Sequence, residues 1–143
     1  MLELSGHQRI ALDSNVLIYL LEDRGPLAEA AGALVDSIES GERDAVMSAI
    51  AIAEILAGPA RAGDAQAFEI TADALRDLRI EVVPVDASTA EDSAWIRGSL
   101  GVSLTDAVHL ATARNAGATA FVTNDRRIRS MPRLAVAYLD DLG

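Results

Sequence analysis

Arg9-Ile10-Ala11-Leu12-Asp13-Ser14-Asn15-Val16-Leu17-Ile18-Tyr19-Leu20-Leu21 changes character twice within a few turns of chain. Residues 9–12 are a short apolar run of the length expected for a buried strand. Three polar residues follow, and residues 16–21 resume as the start of a helix that Gly25-Pro26 breaks. A strand that hands over to a helix through so short a polar step is the opening half of a β-α-β unit, and such units build parallel sheets.

Outward from this stretch the same alternation recurs. Residues 27–40 are periodic, with apolar positions at 27, 30, 31, 34, 35 and 38 and Gly41 just past the end, which predicts a helix. Residues 44–47 read as a strand. An apolar helix over 48–60 is interrupted by Gly58-Pro59, and Asp64 N-caps a helix over 64–78. The β-branched run 80–85 predicts a strand ending at Asp86. Ser88 with Glu91 forms a capping box for a helix to residue 99, which Gly101 ends. Ser103 with Asp106 repeats that pattern for a helix to about residue 115, with Gly117 at its stop. A strand over 120–123, a turn at Asn124-Asp125, one helical turn over 126–129 and a last strand over 134–139 complete the chain. Neither repeats nor linkers interrupt it. The expectation is a single α/β domain over residues 1–143, a three-layer α/β/α sandwich around a mostly parallel sheet of about five strands.

Composition narrows the chemistry. The chain has 143 residues, half of them hydrophobic, enough to bury a core. Ala, Val, Ile and Leu dominate, and Tyr19, Phe68, Trp95, Phe121 and Tyr138 are the aromatics, too few for an evident stacking platform for bases. No cysteine is present, which excludes disulfides, zinc thiolates and thiol nucleophiles. Apolar runs such as 16–21 fall far short of the roughly 20 residues of a membrane span, and the N-terminus lacks the order of a secretion signal, so a cytoplasmic protein is expected. The net charge of −10 argues against a nucleic-acid partner. All twelve basic residues are nevertheless Arg, the better phosphate fork, and Arg126, Arg127, Arg129 and Arg133 cluster.

In parallel sheets, ligands bind beyond the carboxyl ends of the strands. Four acids stand immediately after a strand or early in the helix that follows: Asp13, Glu54, Asp106 and Asp125. Asp13 serves equally as an N-cap or a ligand, with Asn15 placed to hold its carboxylate. Asp106 fits a capping box, and Asp125 fits an ordinary turn. Glu54 has no such inexpensive role, because it is the sole charge in Ala49-Ile50-Ala51-Ile52-Ala53-Glu54-Ile55-Leu56-Ala57. A carboxylate buried there needs a cation, either an Arg or a metal. Two unit charges about 4 Å apart repel by roughly 4 kcal/mol at an effective dielectric near 20, so four convergent acids call for divalent ions. Oxygen ligands without Cys suit Mg²⁺ or Mn²⁺.

Asp13-Ser14-Asn15-Val16-Leu17-Ile18, Glu54 after Ser48, Asp106-Ala107-Val108-His109-Leu110-Ala111-Thr112-Ala113 and Thr123-Asn124-Asp125 resemble, in order, the motifs of PIN-domain nucleases. In spacing and length the chain is most similar to the VapC-type toxins of bacterial toxin–antitoxin pairs. The resemblance covers nearly the whole chain. It implies a PIN-like fold and Mg²⁺- or Mn²⁺-dependent endoribonuclease activity that leaves a 5′-phosphate. It also implies a cognate antitoxin that blocks the site, and homodimers fit the same picture. It carries the metal-site role onto Asp13, Glu54, Asp106 and Asp125, with Ser14, Asn15, Thr123 and Asn124 around them. Ser14 stands where Thr is commoner. His109 stands where an aromatic is frequent and reads as a packed or partly exposed structural residue, although three positions after Asp106 it could reach the site. Arg126, Arg127 and Arg129 are candidate RNA contacts, with a solvated surface turn as the alternative. A non-catalytic binding module and a housekeeping processing nuclease are the competing functions. A phosphoacceptor domain would want a Lys that the chain lacks.

Overall fold

The structure, a computed structural model, describes residues 4–22 and 25–142. Its order is β1 (Arg9–Leu12), α1 (Ser14–Glu22), α2 (Gly25–Glu39), β2 (Asp44–Ser48), α3 (Ala49–Arg61), α4 (Ala65–Asp77), β3 (Ile80–Val83), α5 (Ala87–Leu100), α6 (Leu104–Asn115), β4 (Ala120–Thr123), β5 (Ala135–Tyr138) and α7 (Leu139–Leu142). The five strands form one sheet in the order β3-β2-β1-β4-β5, and every pairing is parallel.

Strand periodicity splits the core in two. Ile10 and Leu12 of β1, Met47 of β2 and Val122 of β4 face one layer, packed by α1, α2, α3, α4 and α7 through Val16, Leu34, Ile55, Leu75 and Leu139. Ala11, Val46 and Phe121 face the other layer, where α5 and α6 supply Ile96, Ala107, Leu110 and Ala111. The fold is thus the expected three-layer α/β/α sandwich. The alanines of α6, seven of whose residues are buried, let that helix lie close against the sheet.

Several local expectations are corrected. Gly58-Pro59 does not interrupt α3, which runs on to Arg61. Pro59 lies in the last turn, where its missing N–H forfeits a single bond to the helix, and Ala62 N–H then closes on Gly58 O. β3 stops at Val83, because Pro84 has no N–H to give to a ladder. The cap of α5 is Asp86, which accepts from Thr89 N–H at 2.8 Å, and not Ser88. Residues 126–129 form a turn closed by Ile128 N–H to Asp125 O, without a helical turn. The last strand ends at Tyr138, and Leu139 opens the short α7. Pro26 falls inside α2, in its first turn, where its fixed φ suits a helix start.

The topology fixes where chemistry can collect. Connections from β1 to β2 and β2 to β3 run over one face, and the crossover from β3 to β4 runs over the other. The direction of winding therefore reverses between β1 and β4, and a crevice opens beyond the carboxyl ends of those two strands.

Candidate active site

Asp13 is the residue after β1, and its N–H bonds Val122 O of β4 at 2.9 Å, so it sits in the crevice itself. It is 5% exposed. Its Oδ1 accepts from Ser14 N–H at 2.8 Å, and its Oδ2 accepts from the Thr123 hydroxyl at 2.7 Å. Asn15 Nδ2 lies 3.5 Å from Oδ2 and donates to Thr123 Oγ1 at 3.3 Å. None of these is the bond to the second or third helical amide that marks a side-chain cap. The carboxylate is instead held in place by Ser14, Asn15 and Thr123.

Glu54 comes from the second turn of α3, whose N-terminus is fixed by Ser48 Oγ accepting from Ile50 N–H. The side chain is about a third exposed, and its partner is a histidine where the sequence suggested an Arg. Glu54 Oε1 lies 2.5 Å from Nε2 of His109, one turn into α6, and the same nitrogen is 3.8 Å from Asp13 Oδ1. His109 is buried, as its apolar setting suggests, and it is also part of the cluster. Asp13, Glu54 and His109 each offer a ligand atom within 4.8 Å of the others. The signal for His109 was its spacing: three residues after Asp106, it shares the side of α6 that Asp106 occupies.

The other two acids stand differently. Asp106 lies in the first turn of α6, its N–H accepted by Ser103 Oγ at 3.1 Å, and its charge acts on both Asp13 and His109. Asp125 is taken by its own turn. Arg127 forks onto it, Nε to Oδ1 at 3.0 Å and Nη2 to Oδ2 at 2.8 Å, while its backbone N–H also bonds Oδ1. Thr123 ties Asp125 to Asp13, since its Oγ1 accepts from Asp125 N–H at 3.1 Å while donating to Asp13. Asn124 is not among the groups around the carboxylates: its Oδ1 accepts from Asp140 N–H at the start of α7. Arg126 is committed to Asp140 and Asp141 and lies 4.2 Å over the Tyr138 ring. Arg129 is exposed.

Electrostatics divide the acids. Burial pushes the Asp13 carboxyl above its ordinary value, against the pull of His109 and Thr123, and Asp106 adds to the rise. Glu54 moves the other way, lowered by its hydrogen bond with His109. Burial opposes charge on His109, yet the bond to Glu54 and the charges of Asp13, Glu54 and Asp106 outweigh it and raise the imidazole. Asp125 is lowered by Arg127. A buried carboxylate that resists ionisation, a second one within reach and an Asn15 Oδ1 with no partner among the described residues make a site that fits a hydrated divalent cation.

A family model described as PIN domain matches residues 10–134. Comparison with curated proteins found no match. Among solved structures, the fold is similar to a chain of a toxin–antitoxin complex from Klebsiella pneumoniae, with a TM-score of 0.68 and 21% identity, covering 88% of this chain and 95% of that one. VapBC2 from Rickettsia felis, bound to a DNA fragment from its promoter, gives 0.73 and 16% over 91% and 98%. Mycobacterium tuberculosis VapC20, a toxin that cleaves the sarcin-ricin loop, gives 0.64 and 19% over 78% and 86%. Identities this low speak for the fold, and the family match takes in strands β1 to β4, all but Arg9, and the crevice at their carboxyl edge: the chain belongs to the PIN domain family.

Proposed function

We propose that this chain is a divalent-cation-dependent endoribonuclease and the toxin of a toxin–antitoxin pair. The observation that carries the reading is the convergence of Asp13 and Glu54, together with His109, from three separate elements at the crevice between β1 and β4, with the charge of Asp106 acting on Asp13. Asp13, Glu54 and Asp106 would hold Mg²⁺ or Mn²⁺, and Asp125 would join them when Arg127 releases it. The chemistry such an ion supplies when bound is activation of water and neutralisation of charge at the phosphorus.

The chain's own groups do the rest. Ser14 and Thr123 fix Asp13, and Thr123 couples it to the turn that carries Asp125. An RNA phosphate arriving beside that turn competes with Asp125 for the Arg127 fork, which pairs as readily with phosphate as with carboxylate. Arg129 lies exposed two residues on, whereas Arg126 stays engaged with α7. Two of the similar structures are described as toxin–antitoxin assemblies, which supports an antitoxin partner, and the acidic surface of this chain suits a basic partner. A single domain over residues 1–143, a homodimer and a cytoplasmic location belong to the same reading. Among the described residues, no helix is long and apolar enough to cross a membrane.

The test is cleavage of a panel of structured RNAs. Cutting in Mg²⁺ or Mn²⁺, its loss in EDTA, and its loss in folded Asp13→Asn and Asp106→Asn proteins are the expected results. Undiminished cutting in EDTA overturns the mechanism.

A further inference from the structure

His109 is more deeply buried than any acid of the site, its side chain 1% exposed. An imidazole in this position has two roles open to it: nitrogen ligand to the cation, or hydrogen-bond donor to a carboxylate. Its two nitrogens decide between them. Nε2 is 2.5 Å from Glu54 Oε1, a distance at which a lone pair would be repelled by the carboxylate, so a hydrogen sits on Nε2. Nδ1 is buried and has no partner among the described residues, and the Phe121 ring lies 6.4 Å away between centroids. A metal-ligating histidine almost always gives its far N–H to a carboxylate, a carbonyl or a water, which fixes the tautomer. A ligating imidazole is neutral with a single hydrogen, so ligation through Nε2 would place that hydrogen on Nδ1, where no acceptor waits among the described residues, whereas the neutral tautomer with the hydrogen on Nε2 gives it to Glu54.

We propose that His109 is a positioning residue whose Nε2–H holds the Glu54 carboxylate toward Asp13, leaving the cation with oxygen ligands only. The proposal rests on the reading of these acids as a divalent-cation site. Glu54 needs such a hold. Its side chain is long and a third exposed, and among the described residues His109 is the side chain that hydrogen-bonds it. Without His109 it is free to turn to solvent. An all-oxygen site also suits hard ions rather than the borderline ions that imidazole attracts.

The experiment is a calorimetric Mn²⁺ titration of the wild type, His109→Phe and His109→Gln, with the melting temperature of each metal-free protein, and pulsed EPR of the Mn²⁺-loaded wild type labelled with ¹⁵N-histidine. Phe fills the ring's volume without a donor, whereas the Gln amide nitrogen reaches the place of Nε2 and donates. His109→Phe is expected to weaken Mn²⁺ binding by roughly 10- to 100-fold, with His109→Gln restoring most of it, and the EPR to show no directly bound imidazole nitrogen. Unchanged Mn²⁺ affinity in folded His109→Phe overturns the positioning role, and a directly coupled nitrogen overturns it in favour of ligation. The EPR arm needs no variant, so it decides even if His109→Phe fails to fold. A wild type that binds no Mn²⁺ is a different result: it removes the cation reading itself, and this proposal with it.

Discussion

Two carboxylates of one site, Asp13 and Glu54, are shifted in opposite directions, and the difference lies in what each touches. Asp13 is enclosed by a backbone amide and a hydroxyl that only partly repay its desolvation, so its neutral form gains. Glu54 meets the imidazole directly, and its charged form gains. The linkage can be worked out for the metal-free protein. His109 is raised above the ordinary 6.5, so its stabilisation is present below that value and is lost as pH climbs through the folded value. Glu54 is lowered below 4.5, so its stabilisation is present above 4.5 and is lost as pH falls through its own folded value. Asp13 opposes folding as pH rises above 3.8. In EDTA the melting temperature is therefore expected to fall as pH rises past 6.5, and Glu54→Gln should remove most of that fall by leaving burial to dominate His109. A flat wild-type curve there rejects the pairing as an energetic feature. At this scale the sequence was legible in part. Glu54 stood out as a charge in an apolar run, but its partner lies 55 residues away on another helix. The preference of Asn124 for Asp140 was equally hidden, because nothing local distinguishes it from Asn15.

Elements carry the side chains to the crevice, and their ends set the aim. Ser103 caps α6 by accepting from Asp106 N–H, and that same turn holds Asp106 and leads to His109. Asp64 caps α4 in the same way, accepting from Ala67 N–H at 2.9 Å, on a helix that brings none of the four acids. The two caps make a controlled pair. Ser103→Ala and Asp64→Ala should each cost about 1 kcal/mol in denaturant unfolding. Mn²⁺ affinity, measured by titration, should drop for Ser103→Ala alone, because only that cap orients groups of the site. Equal affinities in the two variants would mean that packing of α6, not its cap, positions Asp106. Both caps could be read from sequence because a capping residue and its target are three positions apart. The start of α5 is ambiguous in sequence for the same reason turned around, since Asp86 and Ser88 both fit and Pro84 settles the choice by ending β3 early. The turn at 126–129 escaped because its conformation follows from the side-chain pairings of Asp125 with Arg127 and Arg126 with α7, which propensity does not encode.

For the molecule as a whole, the sequence announces parallel strands but not their order. Order depends on which face each crossover covers, and that is decided by helix packing across the sheet. The order β3-β2-β1-β4-β5 is what turns scattered acids into neighbours: it sets the end of β1 beside the end of β4 and lets α3 and α6 meet over the crevice. A fold that gathers like charges in this way stores repulsion that a bound cation relieves, so metal should act on global stability and not only on the site. Binding to the folded state alone stabilises by about 2.7 kcal/mol at a hundred times the dissociation constant. Wild-type protein should therefore melt higher as Mn²⁺ is added, with a logarithmic dependence on its concentration, and return to its starting value in EDTA. Asp13→Asn removes a charge that burial already disfavours. It should melt in EDTA at or above the wild-type temperature, yet gain little from Mn²⁺, so that the order of the two proteins reverses as metal is added. If Asp13→Asn gained as much from Mn²⁺ as the wild type does, the ion would be binding elsewhere on this acidic chain.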